Sequence, residues 1–290
     1  MKYIYYPGCT LESTALEYSV STRAVMQALG AELVEIEDWT CCGATAVEAR
    51  SYLLSMVLAA RNLALAEGMD VEGDIMIPCS ACYLNLRRVE EHIHQDEKLL
   101  DKINEALSEE GLQYRGGIRV RHFLDVIASD FDPEVIEPLV KKKLSGLRVA
   151  PYYGCQALRP YSTFDDPEQP ESMEPLIRAL GAEVHPWTVG AKCCGAALMT
   201  TKKDVALELT GALLKAAQGA DCIVTVCPMC QMNLEAFQDP ISRGRGEELG
   251  ISVLYLPQLI GLAFGLPDEE LRLNLNLVLT DAFRSKLENL

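Results

Sequence analysis

Ten of the eleven cysteines fall into two copies of one five-cysteine pattern: Cys9, Cys41-Cys42, Cys79 and Cys82, then Cys155, Cys193-Cys194, Cys227 and Cys230. The residues around them repeat as well. Tyr6-Pro7-Gly8-Cys9 answers to Tyr152-Tyr153-Gly154-Cys155, and Ala28-Leu29-Gly30-Ala31-Glu32 to Ala179-Leu180-Gly181-Ala182-Glu183. Cys41-Cys42-Gly43-Ala44 answers to Cys193-Cys194-Gly195-Ala196. Cys79-Ser80-Ala81-Cys82-Tyr83-Leu84-Asn85-Leu86 answers to Cys227-Pro228-Met229-Cys230-Gln231-Met232-Asn233-Leu234. Four blocks in one order, about 150 positions apart, mark a chain built from two homologous halves.

The basic, polar stretch Lys141-Lys142-Lys143-Leu144-Ser145-Gly146 sets the expected seam, dividing the chain into domains 1–145 and 146–290, each of ordinary domain size. Each half opens on a short apolar strand. A helical stretch (14–29 in the first half) and a strand (32–36) follow, then the double cysteine and a long amphipathic helix, 46–67 or 197–218. A short buried strand, 75–77 or 223–226, then runs into the CxxC. Strands alternating with helices predict an α/β fold: two homologous domains related by a pseudo-twofold axis, each with a mainly parallel sheet and flanking helices. Ligands of such sheets sit beyond the carboxyl ends of the strands, so the five cysteines of each half are expected to converge on one edge near the seam.

Composition narrows the partners. A formal net charge of −16 repels phosphate backbones and anionic lipid, which argues against nucleic acid or a membrane surface. The apolar run from Leu259 to Leu266 lies between Pro257 and Pro267 and is too short to cross a bilayer. The opening apolar stretch is too short for a signal-peptide core. A cytoplasmic protein is expected, and cysteines in that setting point to metal or redox chemistry and not to disulfide staples.

A CxxC at a strand-to-helix turn puts two sulfurs on one side, where the helix N-terminus favours thiolate. Alone it suits a redox disulfide, zinc or an iron–sulfur centre. The adjacent cysteines resist a disulfide with each other, because a trans peptide holds Cα atoms ~3.8 Å apart, short of ordinary disulfide geometry. Gly43 and Gly195 permit a positive-φ turn that directs both sulfurs toward one site. Zinc takes four ligands, and the same surplus fifth cysteine in both halves points toward iron–sulfur chemistry. Cys222, which aligns with Ile75 of the first half, reads as a core residue in an apolar strand.

These motifs resemble the CCG-domain family, and the chain from residue 3 to about 265 is similar to the B-subunit family of soluble CoB–CoM heterodisulfide reductases of methanogens and their bacterial relatives. The resemblance implies two non-cubane [4Fe–4S] clusters: one on Cys9, Cys41, Cys42, Cys79 and Cys82, the other on Cys155, Cys193, Cys194, Cys227 and Cys230. A disulfide substrate held between them would be split into two thiols, with no flavin or nicotinamide in this chain. The lack of a G-x-G-x-x-G fingerprint after either opening strand agrees. The implied partners are the small cubane [4Fe–4S] subunit and the flavin subunit of the reductase, with a hydrogenase or formate dehydrogenase behind them. Arg159 and Lys192, near Cys155 and Cys193, are candidates for an anionic substrate group. His92, His94, His122 and His185 lack counterparts in the repeat and read as packing or surface residues. Trp39 and Trp187 flank the CCG motifs as shields or core. Two alternatives stand beside this reading: an electron-transfer CCG subunit of a lactate, glycerol-3-phosphate or succinate oxidoreductase, and a structural zinc protein.

Overall fold

The computed structural model describes residues 1–44 and 46–290. Each half carries one four-stranded, all-parallel sheet. In the first, β1 (Lys2–Tyr5), β2 (Glu32–Glu35), β3 (Ile75–Ile77) and β4 (Val120–His122) lie in the order β2-β1-β3-β4. In the second, β5 (Arg148–Tyr152), β6 (Glu183–Val184), β7 (Cys222–Thr225) and β8 (Ser252–Tyr255) lie in the order β6-β5-β7-β8. The chain steps outward from β1 to β2 and then returns to the other flank of β1 for β3. This reversal makes the carboxyl ends of β1 and β3 a topological switch point, where a ligand finds room. β5, β6 and β7 repeat the arrangement.

Helix boundaries differ from the expected ones for local reasons. The stretch 46–67 is two helices, Ala46–Arg50 and Tyr52–Glu67, because the Ser51 hydroxyl accepts the Leu54 N–H at 3.2 Å and caps a new start. Its counterpart begins only at Lys203, after a 3-10 turn at Ala196–Leu198. The helix matching Leu16–Ala28 is shortened to Met173–Ala179. Pro160, Pro167 and Pro170 keep the segment before it out of helix, and the Asp165 and Asp166 carboxylates hold that segment by accepting N–H groups of Glu168, Gln169, Glu171 and Ser172. The ladders also correct one alignment. Ile77 pairs with His122 as Thr225 pairs with Tyr255, so Ile75 corresponds to Ile223, and Cys222 to Asp74.

One apolar cluster joins the halves, with Tyr3, Phe123 and Ile127 packed in the same core as Met173, Ile177, Val224 and Phe264. Contacts across the seam come in exchanged pairs, as a pseudo-twofold axis requires. Tyr18 stacks on Tyr255 at the end of β8, and Phe164, at the same place after Cys155 as Tyr18 is after Cys9, stacks on His122 at the end of β4. Among the described residues no helix is long and apolar enough to cross a membrane.

Candidate metal centres

Each five-cysteine set lies beyond the carboxyl ends of three adjacent strands. Cys9 follows β1, Cys41 and Cys42 follow β2, and Cys79 caps the helix Ser80–Ile93 after β3, with Cys82 in its first turn. Cys155, Cys193-Cys194 and the helix Pro228–Ala236 repeat this after β5, β6 and β7. Gly8 and Gly154 have φ of 75° and 70°, and a Cβ would come within 2.8 Å of Cys82 Sγ and 3.2 Å of Cys230 Sγ. Only glycine lets the backbone pass so close to a sulfur. Gly43 and Gly195 adopt the positive φ expected of them, and their N–H groups point at Cys41 Sγ (3.5 Å) and Cys193 Sγ (3.3 Å).

The sulfurs form a string. Cys9 Sγ lies 3.8 Å from Cys41 Sγ, and Cys42 Sγ 3.3 Å from Cys82 Sγ, which in turn touches Cys79. In the second half Cys155 touches Cys193, Cys194 Sγ lies 3.6 Å from Cys230 Sγ, and Cys230 touches Cys227. Each string has an exposed end, Cys9 and Cys41 or Cys193, and a buried end, Cys42, Cys79 and Cys82 or Cys194, Cys227 and Cys230; Cys155 is intermediate. Among the described residues no three Cys, His, Asp or Glu side chains converge on a point that one ion would fill. A five-thiol donor set spread in this way fits a polynuclear sulfur-bridged centre. Contact with Cys155, then the Gly195 N–H and the charge of Arg159, hold the Cys193 thiol down at about 6. Cys222 lies fully buried in β7, away from both strings, and burial pushes its thiol up.

The repeat also contains supporting residues that cysteine spacing does not reveal. The Tyr6 hydroxyl donates to the Thr40 carbonyl and the Tyr152 hydroxyl to the Lys192 carbonyl, both at 2.7 Å, so each tyrosine fixes the residue before a double cysteine. Asn85 Nδ2 donates to the Cys42 carbonyl at 2.9 Å, and Asn233 Nδ2 to the Cys194 carbonyl at 2.7 Å. Thr210 donates to the same Cys194 carbonyl at 2.9 Å, while Asn62 bonds both the N–H and the carbonyl of Thr40. The recurrence of tyrosine before Gly-Cys, and of asparagine after CxxC, is the signal that could have found them. Trp39 packs edge-on against Tyr6, and Trp187 against Tyr152, which walls each site with aromatic rings.

The buried ends meet at the seam. The Tyr18 hydroxyl lies 2.9 Å from the Pro78 carbonyl and 3.2 Å from the Val226 carbonyl, the residues just before Cys79 and Cys227. Ser80 Oγ reaches the same Val226 carbonyl at 3.2 Å and lies 3.2 Å from His122 Nε2. Both CxxC turns are therefore tied to one hydroxyl.

Arg159 and Lys192 come together on one carboxylate. Arg159 donates to Glu168 at 2.9 Å, to the Pro167 carbonyl at 2.7 Å and to the Ala191 carbonyl, and Lys192 Nζ stands 3.8 Å from Glu168. His92 bridges the halves between Tyr52 (2.6 Å) and Tyr161 (2.9 Å). His122 is fully buried, and desolvation holds it down at about 4, so it stays neutral. His94 is exposed, and His185 Nε2 faces the Ala216 carbonyl at 3.2 Å.

The family described as "Cysteine-rich domain" (CCG) matches residues 3–87 and 149–235. The membrane anchor subunit of the 8-methylmenaquinol:fumarate reductase of Wolinella succinogenes is 37% identical over 281 residues, 96% of this chain and 97% of that one. The B subunit of the ferredoxin:CoB-CoM heterodisulfide reductase of Methanosarcina mazei is 29% identical, covering 97% of this chain and 95% of its own. A protein of Archaeoglobus profundus described as like the heterodisulfide reductase B subunit is 30% identical over 93% of each. A solved structure, of a hypothetical protein from Helicobacter pylori, superposes with a TM-score of 0.76 at 14% identity, covering 96% of this chain and 52% of that one. That likeness shows the fold, and this chain spans about half of that protein's length.

Proposed function

Because the chain belongs to the cysteine-rich CCG family, we propose that it is the iron–sulfur subunit of a cytoplasmic multi-subunit reductase, and that its reaction is the two-electron cleavage of a small-molecule disulfide, CoM-S-S-CoB or an analogue. The observation that carries this reading is that both five-thiol sets are complete and their buried ends share the Tyr18 hydroxyl. Cys9, Cys41, Cys42, Cys79 and Cys82 would hold one non-cubane [4Fe–4S] cluster, and Cys155, Cys193, Cys194, Cys227 and Cys230 the other. Bound there, the clusters supply one-electron steps, two of which a disulfide requires. The balanced reaction takes RSSR′, two electrons and two protons to RSH and R′SH.

The remaining tasks fall to this chain's own side chains. Tyr6, Tyr152 and the two tryptophans cover the buried side of each thiol set, and Asn85 and Asn233 hold the double-cysteine turns. Arg159 and Lys192 bring positive charge beside Cys193, where a sulfonate or phosphate of the substrate takes the place of Glu168. The relatives are subunits of larger reductases. In this reading a small cubane [4Fe–4S] subunit delivers the electrons, with a flavin subunit and a hydrogenase or formate dehydrogenase behind it.

A second reading has its own support: the 37% identity to the anchor subunit of a fumarate reductase, over nearly its whole length, favours an electron-transfer role in a succinate- or fumarate-linked complex. Anaerobically purified protein should contain about eight iron and eight sulfide per chain, unchanged in Cys222→Ala. Reduced viologen should drive cleavage of the heterodisulfide. Stoichiometric zinc with little iron overturns the cluster reading. Full iron with no disulfide turnover, and electron exchange with a quinol or fumarate partner, favours the second reading over the first.

A further inference from the structure

Ser80 lies inside the first CxxC motif, yet its side chain points across the seam. Its Oγ stands 3.2 Å from the carbonyl of Val226, the residue before Cys227, and is within hydrogen-bonding reach of the Cys227 thiol. Its other partner is His122 Nε2, also at 3.2 Å, at the end of β4. Among the described residues no hydrogen bond joins its hydroxyl to Cys79 or Cys82, the cysteines on either side of it in its own motif. Ser80, His122 and Cys227 are all buried.

The imidazole decides where the hydroxyl proton goes. His122 Nδ1 accepts the Leu124 N–H at 3.1 Å, so in the neutral ring the proton is on Nε2. Nε2 therefore donates to Ser80 Oγ, and the single hydroxyl proton of Ser80 is left to point the other way, at the Val226 carbonyl and Cys227. The ring is held in that orientation by Phe164 of the second half, stacked on it with planes 2° apart, and by Tyr83, edge-on at 5.4 Å. The Val226 carbonyl has a second donor within reach, the Tyr18 hydroxyl at 3.2 Å, which frees the Ser80 proton for the sulfur. A thiolate carries charge and is the stronger acceptor of the two.

The arrangement is not repeated on the other side of the pseudo-twofold axis. Pro228 occupies the place of Ser80 and has no hydroxyl, and Tyr255 occupies the place of His122. Tyr18 does not create this difference, because its hydroxyl lies 2.9 Å from the Pro78 carbonyl and 3.2 Å from that of Val226 and so treats the two turns nearly alike. The first half thus sends a hydroxyl to Cys227, and Pro228 returns none to Cys79.

We infer that Ser80 is a positioning residue of the C-terminal site, supplied by the first half: its O–H, aimed by His122, donates to Cys227 Sγ and raises the reduction potential of the centre held by Cys155, Cys193, Cys194, Cys227 and Cys230. The inference rests on the redox reading above. A hydrogen bond to a ligating sulfur stabilises the more negative, reduced state, and does so more strongly in a low-dielectric interior. No covalent bond is made or broken: the electron comes from the one-electron donor subunit, and the proton stays on Ser80 Oγ. The consequence is a difference between two sites of common origin, with the first electron drawn toward the C-terminal one, beside Arg159 and Lys192.

Potentiometric titration of the anaerobic protein tests this in two backgrounds: Cys42→Ser, which leaves the C-terminal set intact, and Cys194→Ser, which leaves the N-terminal set intact. Ser80→Ala should lower the midpoint potential in the first background and leave it in place in the second. Ser80→Thr, which keeps the hydroxyl, should restore it. The paramagnetic reduced C-terminal site should also show an exchangeable-proton coupling, replaced in deuterium oxide, that Ser80→Ala lacks and Ser80→Thr keeps. A shift confined to the N-terminal site, or equal shifts in both, would mean that Ser80 acts only on the turn it belongs to, and overturns the proposal. So does an unchanged potential in the first background, or a full set of couplings in Ser80→Ala. If the protein holds no iron, the redox reading fails separately, and the hydrogen bond is decided in the metal-free chain. There the infrared difference between wild type and Ser80→Ala in the S–H stretching region should vanish when both carry Cys227→Ser. A difference that persists in that background, or none in its absence, overturns the assignment to Cys227.

Discussion

The ring of Tyr18 lies flat on the ring of Tyr255, with centroids 4.1 Å apart and planes 4° from parallel, so each half supplies one face of the stack. The Tyr18 hydroxyl, beyond that stack, reaches the carbonyls before both CxxC turns. Apolar contact and polar tie can be separated by mutation. Tyr18→Phe keeps the ring and removes the hydroxyl from buried carbonyls, at an expected cost of about 1–2 kcal/mol. Tyr18→Ala removes the ring as well, at about 3–5 kcal/mol. Urea unfolding of the two variants measures both, and equal losses would show that the stack adds nothing beyond the hydroxyl.

Asn85 and Asn233 hold equivalent carbonyls, but Asn233 is buried while Asn85 is half-buried. Asn233→Ala leaves the Cys194 carbonyl with Thr210 as its remaining side-chain donor, and should destabilise the protein by about 1–3 kcal/mol, more than Asn85→Ala does. Each change should lower iron occupancy in its own half. Iron analysis combined with the spectra of Cys42→Ser and Cys194→Ser reference proteins identifies the half affected; loss spread evenly over both would mean that the asparagines act on global stability alone.

Two buried groups should give opposite pH slopes. Glu235 is lifted from 4.5 to about 7 by desolvation, so the folded state holds its proton where the unfolded chain has lost it. Its contribution is full below about pH 4.5 and is lost as pH rises through about 7. His122 is lowered from 6.5 to about 4, also by desolvation, so the unfolded chain binds the extra proton. Its contribution is present above about pH 6.5 and is lost as pH falls through about 4. Relative to Glu235→Gln, wild-type stability should fall with rising pH across that window; relative to His122→Gln it should rise. Neither slope should exceed about 1.4 kcal/mol per pH unit. Chemical denaturation at several pH values measures each difference, and two slopes of the same sign would contradict the burial of one group.

The thiol sets and the sheets are legible in the sequence because each is local: a strand, a turn and a cysteine lie close together in the chain, and the repeat states the pattern twice. Gly43 and Gly195 illustrate this, since a glycine directly after two cysteines permits the positive φ that both adopt. The seam is not legible in the same way. Tyr18 lies in the stretch 14–29 that reads simply as helical, and its reach to Val226 depends on how the two halves pack. The segment from Tyr161 to Phe164 belongs to no repeated block, yet it crosses to the first half and meets His92, Tyr83 and His122. His122 and Tyr255 share a place at the end of the fourth strand, but their surroundings share no motif that alignment of the halves could catch. Arg159 is marked by its place four residues after Cys155, whereas the Glu168 carboxylate that holds it lies on a loop the first half lacks.

The last prediction concerns how the two thiol sets divide the work. Both CxxC turns hang on one hydroxyl, so the sets are structurally coupled at their buried ends, while their exposed ends open separately to solvent. If each set takes one sulfur of the substrate disulfide, loss of either should abolish two-electron cleavage although the other remains intact and reducible. If one set only relays electrons, an artificial one-electron donor bypasses it and turnover persists. Cys42→Ser and Cys194→Ser distinguish the cases, because each removes a buried thiol from the middle of its string, in contact with Cys82 or Cys230. Assayed with reduced viologen and the heterodisulfide, after spectra confirm the untouched site, both should fall at least a hundredfold, by comparable amounts. Near-normal turnover in Cys42→Ser would assign the chemistry to the C-terminal set, beside Arg159 and Lys192, and make the N-terminal set its electron donor; the reverse result would assign it to the N-terminal set.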